Sequence, residues 1–297
     1  MYDLIIIGAG PAGLTAALYA LRANKKVLIL ESKIHGGQII NASKIENYPG
    51  IETISGFDYV TILYNQVISL NAEIKYEEVK KLNEDKTVIT NNDAYKAKAI
   101  IIATGLEYRK LGLENEEKYI GKGISYCATC DGNFFKNKTV AIVGGGNTAL
   151  TEAIYLSDIV EKVYVIHRRD TFRGENKYLN ELKKLDNIEF VLNSKVTKLN
   201  GNDYLESVEL EGKDDKTELK LDGLFIAIGH IPQNSAFKDI IDLDENGYVK
   251  SMGNDGVHTN IKGIYVAGDT RVKELRQLVT ATSDGAISAM TAISEMN

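Results

Sequence analysis

Apolar and polar positions follow the same pattern twice along this chain. Residues 2–31 begin with a β-branched apolar run, pass through the stretch GAGPAG, continue with apolar residues at helical spacing and end in the apolar run Val27–Leu30. Residues 139–167 repeat this order, with GGGNTA between the runs Val140–Val143 and Val163–Ile166. Strand and helix signals in this order predict a parallel βαβ unit in each half of the chain.

The glycine stretches of the two copies share their spacing as well as their order. Glu31 follows Gly8 at the same distance as His167 follows Gly144, which indicates an internal duplication of a nucleotide-binding unit. The first glycine would permit a tight turn, the second would let a pyrophosphate approach the backbone, and the last position would keep the helix close to the strand. For a single copy, an ordinary strand–helix turn is the alternative. The predicted contacts are Gly8, Gly10, Pro11, Ala12 and Gly13 in the first copy and Gly144, Gly146, Asn147, Thr148 and Ala149 in the second.

The residues after the second strand differ between the copies. Glu31, followed by Ser32, lies where a carboxylate accepts hydrogen bonds from an adenosine ribose. The second copy instead continues as HRRDTFR, which contains His167, Arg168, Arg169 and Arg173. Arginines at this position suit the 2′-phosphate of NADP, whereas the alternative is a solvated basic turn. We therefore expect different dinucleotides in the two halves, with NADPH in the second.

Two further stretches favour a flavin in the first half. Ala99–Gly105, AIIIATG, and Gly263–Asp269, GIYVAGD, both show the pattern of a buried strand that ends in a small turn. An aspartate at such a strand end can bond a ribityl hydroxyl, and the following helix can direct its N-terminus at the flavin ring. Ordinary sheet architecture is the alternative for each stretch.

The order of these signals predicts an α/β protein with two Rossmann-like nucleotide-binding domains (FAD/NAD(P)-binding fold). The FAD-binding domain would be discontinuous, residues 1–113 and 241–297, and the NADPH-binding domain, residues 114–240, would be inserted within it. A helix is expected over Phe57–Leu70, and residues 188–220 are expected to form short strands with turns at Asn200–Asp203 and Gly212–Asp215.

Cys127 and Cys130, in YCATCDG, are the only cysteines of the chain. A structural zinc site needs about four Cys or His ligands, and the four histidines are scattered along the sequence. A structural disulfide across so short a loop would constrain the unfolded chain little. Inert core thiols remain possible, but Asp131 and Gly132 follow directly and make a poor core sequence. A dithiol that cycles with a disulfide fits best.

Composition narrows the class of protein further. The 297 residues are 44% hydrophobic and 26% charged, with a formal net charge of −6, which is typical of a globular protein and argues against nucleic acid as the main partner. No apolar run has the ~20 residues of a membrane span, and the N-terminus lacks the pattern of a secretory signal. We therefore expect a cytoplasmic protein without a membrane partner or a bound metal.

From end to end, the chain resembles the low-molecular-weight bacterial thioredoxin reductases. GAGPAG, GGQ (Gly36–Gln38), ENYPG, ATG, CATCDG, GGGNTA, HRRDxFR, AIGHxP, AGD and RQ (Arg276–Gln277) follow in that family's order. Gly174 and Glu175 depart from the family pattern after Arg173 without touching the expected chemistry. The resemblance implies further cofactor contacts at Gly36, Gly37, Gln38, Asn47, Ala103, Thr104, Gly105, Gly268, Asp269, Arg276, Gln277, Leu278, Ile228 and Gly229.

The resemblance also implies a reaction, thioredoxin-disulfide reduction. Hydride would pass from NADPH to FAD, and FAD would reduce a Cys127–Cys130 disulfide, whose dithiol would then reduce thioredoxin. In the family, the cysteine that matches Cys130 faces the flavin, the one that matches Cys127 attacks the partner, and Asp131 is the candidate acid and base. A helix-capping role is the alternative for Asp131. A homodimer is expected from the resemblance alone. The alternative function is a related flavoprotein that uses ferredoxin or oxygen, or another disulfide partner.

Overall fold

The computed structural model describes residues 1–42, 44–212, 216–253 and 255–296. The chain divides into a first unit, formed by residues 1–107 and the chain from Ile231 onward, and a second unit, residues 108–230, inserted within it. These boundaries differ from the expected 113/114 and 240/241. Leu111 and Leu113 pack into the core of the second unit, and Phe237 and Ile241 are buried in the first, so both crossings lie earlier in the chain.

The regular elements follow each other in an alternating order. In the first part of the first unit they are β1 (Tyr2–Ile7), α1 (Pro11–Arg22), β2 (Val27–Glu31), α2 (Gly56–Ile68), β3 (Glu73–Tyr76), β4 (Val79–Leu82), β5 (Thr87–Thr90) and β6 (Ala94–Ile102). The connecting strand β7 (Leu106–Tyr108) follows. In the second unit they are α3 (Glu116–Tyr119), β8 (Ile124–Ser125), α4 (Ala128–Asp131), β9 (Thr139–Gly144), α5 (Asn147–Ser157), β10 (Lys162–His167), α6 (Asn176–Leu182), β11 (Ile188–Leu192), β12 (Lys195–Asn200), β13 (Ser207–Glu211), β14 (Lys216–Lys220) and β15 (Gly223–Ala227). The connecting strand β16 (His230–Pro232), β17 (Ile264–Val266) and α7 (Leu278–Met296) complete the order.

The sheet of the first unit has the order β3-β2-β1-β6-β5-β4, and β17 pairs with the carboxyl half of β6. Strands β3, β2, β1, β6 and β17 run parallel, whereas β4 and β5 form an antiparallel extension. Because parallel strands are buried on both faces, β1 is apolar without interruption from Leu4 to Ile7, the four residues that are buried. One face of this sheet packs against α1, α2 and α7, so the N-terminus of α1 and the end of β17 lie at the same carboxyl edge.

The second unit repeats the parallel arrangement. Its main sheet has the order β11-β10-β9-β15-β8, and all four pairings are parallel. Helix α5 connects β9 to β10, as α1 connects β1 to β2, and packs with α4 and α6 over one face. A separate antiparallel sheet, β12-β13-β14, covers the other side of the unit's core.

The expected α/β fold class is confirmed by these two parallel sheets. The helix predicted over Phe57–Leu70 begins one residue earlier, since Ser55 Oγ accepts a hydrogen bond from the Asp58 N–H at 3.0 Å and caps it, and it ends at Ile68. Of the predicted turn Gly212–Asp215, residues 213–215 lie outside the described residues. In the described part of the chain, no helix is long and apolar enough to cross a bilayer.

Candidate active site

Cys127 and Cys130 form a disulfide, with their Cα atoms 5.3 Å apart. The short parallel strand β8 ends at Ser125, and Cys127 then starts the single turn α4. The N–H groups of Cys130 and Asp131 both donate to the Cys127 carbonyl, at 3.2 and 3.1 Å. The turn therefore brings the two sulfur atoms within bonding distance and leaves both cysteines only partly buried.

Asp131 lies at the end of this turn and is partly buried. Its Oδ2 accepts a hydrogen bond from Ser125 Oγ at 2.7 Å, while its buried Oδ1 has no hydrogen-bond partner among the described residues. Burial raises the pKa of the Asp131 carboxyl, and the bond from Ser125 opposes this rise. The side chain makes no capping hydrogen bond to the helical turn that follows, so the alternative reading of Asp131 as a helix cap is wrong. A carboxyl of raised pKa beside a disulfide can store and release a proton.

A second carboxyl, Glu152, faces the same turn and was missed in the sequence. Ala149, Ala153 and Leu156 of α5 are buried in the cluster that also contains Ala128, so this face of α5 covers α4. Glu152 lies on that face, because it precedes Leu156 by one helical turn. Burial raises its pKa to about 7, and the Ala128 backbone N–H partly opposes the rise. The signal available in the sequence was one acidic residue on an otherwise apolar helix face.

In the first unit, the glycines of GAGPAG serve three different needs. Gly8 has φ of +108°, and a β-carbon there would lie 2.3 Å from the Ala103 carbonyl oxygen. A β-carbon at Gly13 would lie 1.9 Å from the Gly8 carbonyl oxygen, so α1 can approach β1 only with glycine at this position. At Gly10, by contrast, the nearest atom would be 3.8 Å away, which leaves open space beside the backbone.

The N-terminus of α1 faces the open space beside the Gly10 backbone. No side chain of the described residues caps it, and its first turn contains no acidic residue. Pro11 takes the first helical position, and Ala12 packs against Gly268, where an added β-carbon would lie 2.9 Å from the Ala12 β-carbon. Uncapped N–H groups and the positive end of the helix dipole favour a phosphate at this position.

Glu31 ends β2 beside this loop. Its Oε2 accepts from the Ala9 N–H at 2.8 Å, and its Oε1 accepts from the Lys33 N–H at 2.9 Å. Ser32 Oγ lies at 3.5 Å from the same Oε1 and is exposed. The carboxylate is thus held in place by backbone donors, with acceptor capacity left for hydroxyl groups.

The remaining predicted contacts of the first unit meet around the same helix end. The Gly36 N–H donates to the Ala9 carbonyl at 2.8 Å, which brings Gly36, Gly37 and Gln38 to the glycine loop. Asn47 Nδ2 donates to Gln277 Oε1 at 3.0 Å. After β6, Ala103 contacts Gly8, and Gly105 adopts φ of +64°. Thr104 Oγ1 lies 2.9 Å from Thr270 Oγ1, beside Gly268 and Asp269.

Asp269 is the second carboxyl with an oxygen that no described group bonds. Its Oδ1 is buried without a hydrogen bond, and burial raises its pKa while Lys273 and Arg276 lower it. The Arg276 guanidinium lies over the Tyr248 ring and donates through Nε to the Asp269 carbonyl at 3.3 Å. Leu278 begins α7 directly afterwards.

The glycine loop of the second unit has a related but not identical construction. The tight turn expected at Gly144 needs no positive φ; instead, a β-carbon there would lie 2.4 Å from the Ala227 oxygen and 2.6 Å from the Ala149 β-carbon. These contacts place Ile228 and Gly229, which follow β15, next to the loop. Gly146 precedes α5, no described side chain caps the helix there, and a β-carbon at Gly146 would meet no atom of the described residues within 4 Å. Asn147 and Thr148 are exposed in the first turn of α5, and Ala149 is buried.

The arginine segment folds over this second loop. The N–H groups of Arg173 and Gly174 donate to the Gly145 carbonyl, at 2.8 and 3.1 Å. The Asn147 side chain donates through Nδ2 to Glu175 Oε1 at 3.0 Å and accepts through Oδ1 from the Glu175 backbone N–H at 2.8 Å. Arg168, Arg169 and Arg173 are exposed, and none forms an ion pair with a carboxylate of the described residues. Three unpaired guanidinium groups beside an uncapped helix end suit a phosphorylated ribose.

His167 is placed differently from these arginines. It is buried, its ring lies where a β-carbon of Gly145 would stand, and it stacks on Phe172. Its Nε2 lies 3.1 Å from the Thr171 carbonyl oxygen, which assigns the proton to Nε2. Burial lowers its pKa and the three arginines add to this. The His167 ring packs against the glycine loop at Gly145. Its contact with a nucleotide stays a prediction.

Two nucleotide cradles and a disulfide beside a partly buried carboxyl are the parts of a nucleotide-dependent disulfide oxidoreductase. Consistent with this, residues 2–285 match the family described as pyridine nucleotide-disulphide oxidoreductase, and the chain belongs to that family. The chain is therefore an oxidoreductase, as expected from the sequence.

Individual relatives agree with the resemblance found in the sequence. The chain is 43% identical to a thioredoxin reductase of Mycoplasma genitalium, over 98% of this chain and 94% of the relative. It is 43% identical to a thioredoxin reductase of Treponema pallidum, over 99% and 96%. The solved thioredoxin reductase of Streptococcus pyogenes is 41% identical, with a TM-score of 0.93, covering 99% of this chain and 97% of that one.

Proposed function

We propose that the chain is a thioredoxin reductase that uses NADPH and FAD. The observation that carries the proposal is the Cys127–Cys130 disulfide beside Asp131, whose Oδ1 has no hydrogen-bond partner among the described residues. Both lie in the same unit as the second glycine loop and its arginines. The thioredoxin reductases among its relatives align over nearly the whole chain, which supports the same substrate here.

The first unit has the features that FAD needs. Gly10 leaves room for a pyrophosphate at the open end of α1, Glu31 offers a fixed carboxylate for ribose hydroxyls, and Asp269 holds an unbonded buried oxygen that a ribityl hydroxyl would satisfy. When bound, FAD supplies two-electron transfer between a nicotinamide and a disulfide.

The second unit has the features that NADPH needs. Gly146 leaves open space at the end of α5, and Arg168, Arg169 and Arg173 are available for a 2′-phosphate. With Arg168 and Arg169 directly after the position that matches Glu31 of the first unit, a phosphate is attracted where a carboxylate would repel it. This difference supports NADPH over NADH and the assignment of FAD to the first unit.

Reduction of the disulfide takes up two electrons and one proton and leaves one thiol and one thiolate. We assign the attack on thioredoxin to the Cys127 thiolate, which forms a mixed disulfide as the partner's S–S bond breaks. The Cys130 thiolate then attacks Cys127 Sγ, restores the internal disulfide and releases the partner's second sulfur. Asp131 accepts the Cys130 proton and returns it to the leaving thiolate, a role suited to a carboxyl of raised pKa.

A homodimer and a cytoplasmic location belong to the same proposal. A groove of about 480 Å³ lies between α1, α2 and α7, and apolar side chains are exposed along it: Tyr19 is 43%, Ile62 is 54% and Val279 is 37% exposed. Exposed apolar surface of this kind favours an interface, and a second copy is the occupant we propose. In analytical ultracentrifugation, wild type should sediment as a dimer and Ile62→Asp as a monomer. A sedimentation coefficient that is the same for both proteins would contradict this interface.

The proposal is tested by anaerobic addition of NADPH to the purified protein, followed by oxidised thioredoxin. The expected result is flavin absorbance that bleaches with NADPH and returns when thioredoxin is added. Bleaching by reduced ferredoxin but not by NADPH would contradict the assigned electron donor. Bleaching by NADPH without reoxidation by thioredoxin would contradict the assigned substrate.

A further inference from the structure

The side chain of Lys273, in the first unit, is buried although it has no role in the proposed electron transfer or thiol–disulfide exchange. Its side chain is 7% exposed. Its Nζ lies 2.9 Å from Asp284 Oδ2, 3.2 Å from Thr280 Oγ1 and 3.5 Å from Asp269 Oδ1. An ammonium group this deeply buried is retained only when carboxylates compensate its desolvation. Lys273 is therefore bound between two carboxylates, one on α7 and one in the turn after β17.

Asp284 is the fixed end of this arrangement. Besides the bond from Lys273, its carboxylate accepts from the Gly268 N–H at 3.0 Å and from Arg271 through Nε at 2.9 Å and Nη2 at 3.0 Å. The cations lower the pKa of Asp284, although burial opposes them. Asp284 thereby ties Lys273 to α7 and to the backbone next to Asp269.

Asp269 is the open end of the same arrangement. Its Oδ1 lies at ion-pair distance from Lys273 without the geometry of a hydrogen bond, and no other described group bonds this oxygen. The charged groups that act on Asp269 are Lys273 and Arg276, which favour its ionised form, and Asp284, which opposes it. With Arg271, the cluster holds three cations, Arg271, Lys273 and Arg276, and two carboxylates, Asp269 and Asp284. Among the described residues, Lys273 is the one of these cations that forms an ion pair with Asp269, so its loss would weaken the stabilisation of the ionised Asp269 carboxyl.

We infer that Lys273 is a positioning residue for FAD: it holds the Asp269 carboxylate ionised and oriented so that its free oxygen accepts a ligand hydroxyl. This inference rests on the proposed function, since it takes FAD as the ligand of the first unit. Lys273 does not touch the flavin in this account; it acts through Asp269. The competing explanation is that Lys273 only pairs with Asp284 and holds α7 in place.

The test measures how tightly the holoprotein holds FAD, from the fluorescence of flavin released on dilution, between pH 6 and pH 9. Lys273→Gln is expected to weaken FAD binding at least about tenfold at pH 6, the size of one lost charge-assisted hydrogen bond. The loss should shrink as pH rises, because Asp269 then ionises without the lysine. Wild type and the control Lys262→Met, an exposed lysine of the same unit, should show no such pH dependence.

Asp269→Asn separates the two explanations. In this background, Lys273→Gln is expected to change FAD affinity less than about threefold, because the group it positions is gone. A loss that is independent of pH and persists with Asp269→Asn overturns the inference in favour of a role in holding α7. Unchanged FAD affinity in Lys273→Gln overturns it as well.

The test must also cover a Lys273→Gln variant that does not fold and a protein that does not bind FAD. If Lys273→Gln does not fold, Lys273→Arg decides: the charge is kept, so its FAD affinity should be independent of pH, and an affinity that falls at low pH contradicts the inference. Failure of the proposed function is recognised separately, because wild type itself would then release no FAD.

Discussion

The Ser125 hydroxyl donates a hydrogen bond of 2.7 Å to Asp131 Oδ2, six residues away along the chain and next to the disulfide. This is the only hydrogen bond that the Asp131 side chain receives from the described residues, and it partly offsets the rise in pKa that burial causes. The pair therefore controls the protonation of the carboxyl that we assign to thiol–disulfide exchange.

Ser125→Ala should raise the pKa of Asp131 further, because the bond that stabilises the carboxylate is lost. We expect the acid limb of the pH profile for thioredoxin reduction to move to higher pH, with a loss of about threefold to tenfold at neutral pH. Asp131→Asn should lose at least about a hundredfold. The control Ser157→Ala removes a hydroxyl of α5 that bonds only a carbonyl of its own helix. An unshifted acid limb in Ser125→Ala would count against Asp131 as the base.

Gly13 and Gly146 predict opposite effects of the same substitution. Gly13→Ala should destabilise the protein by more than about 2 kcal/mol, because its β-carbon would overlap the Gly8 carbonyl oxygen at 1.9 Å. Gly146 has extended backbone and open space, so Gly146→Ala should leave the melting temperature nearly unchanged and weaken NADPH binding at least about tenfold. Normal NADPH binding in Gly146→Ala would mean that the dinucleotide does not approach this backbone.

Arg168→Ala and Arg169→Ala test the preference for the 2′-phosphate. Each should raise the KM for NADPH about tenfold and leave the KM for NADH within about twofold, since only NADPH carries the phosphate. Lys184→Ala, another exposed cation of the second unit, serves as the control. Equal increases in both KM values would remove the basis for NADPH over NADH.

Glu152 should make stability depend on pH. Its folded pKa of about 7 lies above the ordinary value of 4.5, so the folded state holds the proton more tightly than the unfolded state. The stability that this group contributes is complete below pH 4.5 and is lost as pH rises through 7, up to about 3 kcal/mol. The free energy of unfolding, measured in urea, should therefore fall less between pH 5 and pH 8 for Glu152→Gln than for wild type.

The exposed Glu181 of α6 provides the matched control for this measurement. Glu181→Gln should keep the wild-type pH dependence. If Glu152→Gln also keeps it, the Glu152 carboxyl does not have a raised pKa.

The sequence predicted the strand–glycine–helix units well because each is specified locally. The apolar run of β1, the uncapped glycine before α1 and the close packing at Gly13 all lie within a few residues of one another. The boundaries between the units were less accurate. They depend on which core receives Leu113 and Phe237, and that choice is made by distant residues.

The residues missed at the site have a common physical reason. Lys273 and Asp284 are charged side chains in buried positions, and nothing in their local sequence distinguishes them from solvated surface charges. For Glu152, the only local signal is its place on an otherwise apolar face of α5. Ser125 was missed because its importance comes from the turn α4, which folds Asp131 back onto it. Tertiary contacts give these residues their roles.

We propose that electrons reach thioredoxin through the Cys127–Cys130 disulfide. The most direct measurement is the NADPH-dependent reduction of oxidised thioredoxin by wild type, Cys130→Ser and Cys127→Ser under the same conditions. We predict turnover by wild type and none above background by either variant, while both still bleach with NADPH. Reduction of thioredoxin by Cys130→Ser at the wild-type rate would contradict the account.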